Sequence, residues 1–203
     1  VPSNAGSVAM PLVPGVHSCD RGDVAEVVVV SGAPGAGKST LAAPLARALG
    51  FPLLAKDAIK ESLFDSLGQL DADPLASSRR LGGAAMELLW RLAEECPSVV
   101  IEANFRSHSV YERQRLRALS PRPVEVYCRL PVEQAADRYA HRGARSDHHP
   151  VHVTRSLPVS AFHEFQEPMG LGPVLEVDTS TPVDVPALAK QVIATLQQAL
   201  DPS

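Results

Sequence analysis

VVVVSGAPGAGKST, residues 27–40, couples four consecutive valines to a glycine-rich turn. Four valines in a row suit a strand covered on both faces, as in a parallel sheet. The next residues, Gly32-Ala33-Pro34-Gly35-Ala36-Gly37-Lys38-Ser39, match G-x-x-x-x-G-K-[ST], the phosphate-binding loop. Glycines permit backbone angles that β-carbons forbid, so successive N–H groups can turn inward on an anion. Ser39 and Thr40 open a helix whose N-terminus adds unpaired N–H groups and the positive end of a dipole. Lys38 is expected to reach the β- and γ-phosphates of a nucleotide, and the Ser39 hydroxyl to bind Mg²⁺. A turn of this composition can also bind nothing. The preceding strand, the filled motif positions and a following stripe of Leu41, Leu45 and Leu49 argue against that alternative.

The chain has 203 residues, enough for one domain with a substantial core. A formal net charge of -4 argues against a protein built to coat nucleic acid. Cys19, Cys96 and Cys128 are widely spaced and show no C-x-x-C pairing, which points to reduced thiols in a cytoplasmic protein. No apolar run reaches the length of a membrane span, and no signal peptide is evident. Val1–Asp23 has three prolines, several small residues and no periodicity, and reads as a flexible N-terminal tail. Residues 24–203 then form the globular domain.

Within that domain strands and helices alternate. Val24–Ser31 is the first strand and Ser39–Leu49 the first helix. Phe51–Ala55 is a short strand, and Lys56-Asp57 precedes a helix carrying Ile59, Leu63, Phe64 and Leu67. Asp73-Pro74 starts a long helix to about Glu95. Gly82-Gly83 either breaks it or marks close helix packing. Ser98–Ala103 is the third strand, and Ser107 or Ser109 caps a helix to Leu119. Val124–Leu130 is the fourth strand, followed by a helix from Pro131-Val132-Glu133 through His141. Ser160–Gln166 is a short helix, Val174–Val177 the fifth strand and Asp184–Leu200 the closing helix. Strands centred near 27, 53, 100, 126 and 175 with helices between make a doubly wound α/β parallel sheet.

Ligands of such sheets sit at the C-terminal strand ends. Asp57 lies there. Its carboxylate can accept a proton from a hydroxyl attacking a γ-phosphate, or it can simply cap the helix that follows. Glu102 ends the third strand, where a carboxylate acts on Mg²⁺ or its water shell, unless it is only an ion-pair partner. Asn104-Phe105-Arg106 continues onto the same edge. Phe105 and Arg106 could clamp a substrate, or Phe105 could belong to the core. Arg138 and Arg142 are four apart and share a helix face, and Arg145 follows Gly143. A helix and loop with these arginines have the composition of a lid that stabilises transferring charge. The alternative is surface arginines paired with Glu133 or Asp137. His148 and His152 have helical ligand spacing, but Pro150 lies between them, so loop shaping or substrate contact is favoured over a metal.

SGAPGAGKST, KDAIKESLFDSLG, VVIEANF and RYAHRGARSDHHPVH together carry a family likeness. The chain resembles the small P-loop kinases of the nucleoside-monophosphate-kinase-like group. Among these it is most similar to AAA-type ATP-binding proteins grouped with zeta toxins, chloramphenicol phosphotransferase and the polynucleotide kinase domain. The resemblance spans Val24–Asp178. It implies a P-loop NTPase sheet of order 2-3-1-4-5, ATP as donor, and Asp57 as general base. It also implies a lid over about 132–156 with Arg138, Arg142 and Arg145. An H-P-G-H run common in such lids reads His149-Pro150-Val151-His152 here. Acceptors in the group range over antibiotics, sugars, nucleic-acid ends and peptidoglycan precursors.

The expected activity is therefore ATP- and Mg²⁺-dependent phosphorylation of a hydroxyl on a small metabolite or antibiotic. Lys38, Asp57, Arg138, Arg142 and Arg145 are the candidate catalytic groups. Gly32–Thr40 hold the nucleotide, Ser39 and Glu102 the metal, and Asp57, Lys60, Phe105 and Arg106 the acceptor. A polynucleotide 5′-kinase would need a basic track or stacking aromatics, and aromatics are 4% of the chain. A toxin kinase and a regulatory ATP-dependent switch are further alternatives, and no guanine-reading N-K-x-D is present. Monomer and homodimer are both compatible with the sequence.

Overall fold

The computed structural model describes residues 25–200. The expected tail, Val1–Asp23, lies outside them. Five strands form one sheet: β1 (Glu26–Ser31), β2 (Leu53–Ala55), β3 (Ser98–Glu102), β4 (Val124–Arg129) and β5 (Val174–Asp178). All neighbours pair in parallel, in the order β2-β3-β1-β4-β5. The helices are α1 (Lys38–Leu49), α2 (Lys56–Leu67), α3 (Pro74–Glu94), α4 (Val110–Leu119), α5 (Val132–Gly143) and α6 (Val185–Leu200). A 3-10 helix at Val159–Phe165 precedes β5.

The valine run explains the layering. Side chains alternate along a strand, so Val28 and Val30 face one way and Val27 and Val29 the other. The first pair packs with Leu41 and Leu45 of α1 and with Leu188 and Val192 of α6. The second pair packs with Leu89 and Trp90 of α3 and Leu116 of α4. β1 is thus buried on both faces at the centre of the sheet, and it delivers the glycine loop at its C-terminal end.

The helix starts follow their capping chemistry. Asp73 accepts from the N–H groups of Leu75 and Ala76, with Pro74 in the first turn of α3. Ser109, not Ser107, accepts from Glu112 N and caps α4. α3 runs unbroken through Gly82-Gly83. The bare Cα of Gly82 lies over the Lys60 chain of α2, where an added Cβ would meet Lys60 Cε at 3.8 Å. Gly82 thus sits at ordinary contact distance from α2, Gly83 faces open space, and neither breaks the helix. α2 starts two residues earlier than the pattern suggested, at Lys56, with Ala55 before it and no side-chain cap. Asp57 sits inside the first turn, which removes the reading of Asp57 as a mere cap.

Candidate active site

The turn between β1 and α1 is held by close backbone packing. Gly35 has φ +80°, and a Cβ there would lie 2.2 Å from the Ala135 carbonyl of α5. Only glycine lets α5 rest directly on the loop. Lys38 is buried, and its Nζ donates to Ala33 O at 2.8 Å, which keeps the ammonium inside the loop. Burial lowers the Lys38 pKa against the pull of Glu102, Cys128 and Asp57. Ser39 Oγ donates to Glu102 Oε2 at 3.3 Å. Glu102 is 4% exposed at the end of β3. Burial raises its pKa, and Lys38 opposes the rise.

Asp57 behaves differently. Burial pushes its pKa up, but Lys56, His152, Lys38 and Lys60 outweigh that and hold it below its ordinary value. It is therefore ionised at neutral pH and able to accept a proton-bearing donor. Lys56 Nζ stands 3.6 Å from it.

Two adjoining spaces meet at these groups. A cradle of about 220 Å³ is lined by the loop from Pro34 to Thr40 and by Asp57, Glu102, Asn104, Arg138 and Arg142. A larger cleft of about 1140 Å³ opens between α2 and α5. Ser39, Asp57, Glu102, Arg138 and Arg142 line both. The site thus places a buried ammonium, two carboxylates, a hydroxyl and two guanidinium groups around one junction. The oxygen donors there suit a hard divalent cation.

The arginines of α5 are not paired with Glu133 or Asp137. Arg138 donates to Thr179 O at 3.0 Å and ties α5 to the turn after β5. Arg142 lies over the Tyr139 ring at 5.5 Å. Arg145 makes two bonds to the Asp147 carboxylate, at 2.8 and 2.7 Å, on the cleft's exposed rim.

Three proposed acceptor contacts lie elsewhere. Lys60 is about 100° around α2 from Glu61, so it faces α3, where it is buried and donates to Ser78 Oγ at 2.8 Å. Phe105 is 2% exposed and packs on Trp90 with ring centroids 5.8 Å apart, because an apolar ring at that position completes the core. Arg106 bonds Glu164 at 3.1 Å and pairs with Glu112 at 3.6 Å, outside the cleft.

The histidines bind carboxylates of α2. His152 Nε2 donates to Glu61 Oε1 at 2.8 Å, and His149 Nε2 to Asp65 Oδ1 at 3.2 Å. His149 also meets Phe64 edge-on, with centroids 5.6 Å apart. Among the described residues no group of three or more His, Cys, Asp or Glu side chains has the geometry to hold a metal. Val151, standing where glycine was the expected residue, is buried. Sequence reasoning missed Glu61 and Asn104 as lining residues. Glu61 was within reach, since it lies one turn beyond Asp57 on the same face.

The AAA domain family matches residues 27–159. A crystal structure of a protein from Chloroflexus aurantiacus J-10-fl, regarded as a kinase, is 30% identical, with 85% of this chain and 98% of that one covered and a TM-score of 0.71. Shikimate kinase from Acinetobacter baumannii matches at 16% identity over 87% of this chain and 96% of its own, with a TM-score of 0.54. An unliganded sugar kinase from Janibacter sp. HTCC2649 matches at 16% identity over 88% and 99%, with a TM-score of 0.51. No curated protein matches by sequence. Among the described residues no helix is long and apolar enough to cross a membrane. The chain belongs to the AAA domain family and has the fold of the small P-loop kinases.

Proposed function

We propose that the protein is an ATP- and Mg²⁺-dependent kinase that phosphorylates a hydroxyl of a small molecule, such as a metabolite or an antibiotic. The observation that carries this is the junction where cradle and cleft share Ser39, Asp57, Glu102, Arg138 and Arg142. A donor in the cradle and an acceptor in the cleft would meet there in line. The relative at 30% identity, itself regarded as a kinase, supports the same reading.

Each group then has a role. Loop amides and Lys38 hold the donor's phosphates, as in other P-loop enzymes. Ser39 and Glu102 would hold Mg²⁺, which neutralises charge on the β- and γ-oxygens when bound. Asp57 orients the acceptor hydroxyl and takes its proton as the oxygen attacks phosphorus. A depressed pKa makes it a weak base, which suits a loose transition state where the proton leaves late. Arg138 and Arg142 stabilise charge on the transferring group. α5 and residues 144–156 serve as the lid, with His149 and His152 fastening it to α2. Free thiols at Cys96 and Cys128 fit a reducing cytoplasm.

The test is ADP release from Mg²⁺-ATP against pooled hydroxylated metabolites and antibiotics. One pool is expected to raise release, and Asp57→Asn to abolish the rise. Equal release with and without every pool would contradict the reading and favour a nucleotide switch.

A further inference from the structure

The two walls of the cleft differ in charge. α5 supplies Arg138 and Arg142, which also line the phosphate cradle. α2 faces them with Asp57 and, one turn on, Glu61. Glu61 and His152 line the cleft but not the cradle. An acceptor whose hydroxyl reaches Asp57 has room to extend along Glu61.

The lysines nearest that wall and Arg145 at its rim already have partners. Lys60 is buried against Ser78. Lys56 stands beside Asp57 itself. Arg145 is taken by Asp147. Away from the junction a negatively charged group on the acceptor would meet Glu61, because Arg138 and Arg142 lie where the cleft joins the cradle.

Glu61 is oriented for the opposite kind of ligand. Its Oε1 accepts from His152 Nε2 at 2.8 Å, and its Oε2 has no hydrogen-bond partner among the described residues. Burial lowers the His152 pKa from an ordinary 6.5, against Asp57 and Glu61, so at neutral pH the imidazole is uncharged and leaves the Glu61 charge uncancelled. The carboxylate side chain is 39% exposed and accessible from the cleft.

We propose that Glu61, positioned by His152, determines acceptor specificity and selects a polyhydroxylated molecule bearing a protonated amine. This rests on the kinase reading above. The ammonium donates to Glu61 while a hydroxyl one helical turn away, about 5–6 Å, donates to Asp57. A single amino sugar or aminocyclitol ring spans that separation. In the reaction the hydroxyl oxygen bonds to the γ-phosphorus, the bond to the β,γ-bridging oxygen breaks, and the hydroxyl proton passes to Asp57. The amine is unchanged.

The experiment measures kcat/KM with Mg²⁺-ATP for three matched acceptor sets. These are amino sugars with aminocyclitols, their neutral parents, and their carboxylated counterparts. The best amine-bearing acceptor is expected to exceed its neutral parent by about tenfold or more, the worth of one charged hydrogen bond. Glu61→Gln should erase that preference through the acceptor KM and leave kcat and the KM for ATP in place. Preference for a neutral or carboxylated acceptor, or an amine preference that survives Glu61→Gln, overturns the inference while the kinase reading stands. If no acceptor of any set is phosphorylated although ATP binds, the inference falls, and the kinase reading is decided by the wider acceptor pools.

Discussion

The phosphate cradle and the outer cleft share five residues but are built by different means. The cradle is mostly contiguous backbone from Pro34 to Thr40, with Lys38 and Glu102 buried beside it. Charges held in that way act strongly, because little water screens them. The outer cleft is made of side chains from α2, α5 and the segment around residue 150. Its pairs, such as His149 with Asp65, lie partly in solvent, and pairs of that kind contribute ~0–1 kcal/mol. In the proposed kinase the inner region would set how strongly the chemistry proceeds, and the outer region what is chosen and how the cleft is covered.

Substitutions should divide along that line. Lys38→Ala is expected to lower kcat/KM by about 10³-fold, as loss of a preorganised phosphate donor does. A loss under tenfold in steady-state assays would mean the cradle does not hold the phosphates. Asp57→Asn should lower kcat by about 10²-fold with ATP affinity intact by calorimetry. Arg142→Ala should also cost about 10²-fold, whereas Arg145→Ala should change kcat less than about threefold, since Asp147 already engages that guanidinium. Equal losses at the two arginines would break the comparison at the rim.

The two carboxylates at the junction give a stability test with opposite signs. Asp57 has its folded pKa lowered from an ordinary 3.8. Its contribution to stability is present above that ordinary value and is lost as pH falls through the folded one. Glu102 has its folded pKa raised from an ordinary 4.5, so it destabilises the fold as pH rises through that value toward the folded one. At pH 7, Asp57→Asn should therefore lower Tm and Glu102→Gln should raise it. At a pH below both folded values the two shifts should shrink toward zero. Thermal melts across the acid range measure this. The smallest effect belongs to the clasp. His149→Ala should raise the acceptor KM only a few-fold, matching the loss of a partly exposed pair. A large fall in kcat would move His149 into the chemistry.

What could be read from sequence follows the same division. The valine run, the glycine loop and the helix stripes are local patterns with short-range causes, so the strands, the helices and the α/β layering were legible. Strand order came through family resemblance, since spacing alone does not order a parallel sheet. Asp57, Glu102, Arg138 and Arg142 could be nominated because strand ends and helix faces gather on one edge. Lys60, Phe105 and Arg106 were misplaced for a shared reason. Which way a side chain turns at an edge depends on partners distant in sequence. Lys60 turns to Ser78, Arg106 to Glu164, and Phe105 to Trp90. The bond between His152 and Glu61 joins residues 91 apart and could not be read locally. The same holds for buried Glu125, which accepts from Ser31 Oγ and from the N–H groups of Met169 and Gly170.

In the proposed reaction donor and acceptor meet at Asp57 for phosphoryl transfer. Mass spectrometry of acceptor pools incubated with Mg²⁺-ATP tests it most directly, with Asp57→Asn beside the wild type and ATP binding measured for both. The expected result is an acceptor that gains one phosphoryl group with the wild type and not with Asp57→Asn, while the ATP isotherms of the two proteins stay alike. Contradiction would be ADP and free phosphate with no phosphorylated acceptor from any pool, or an Asp57→Asn variant that forms the product at the wild-type rate.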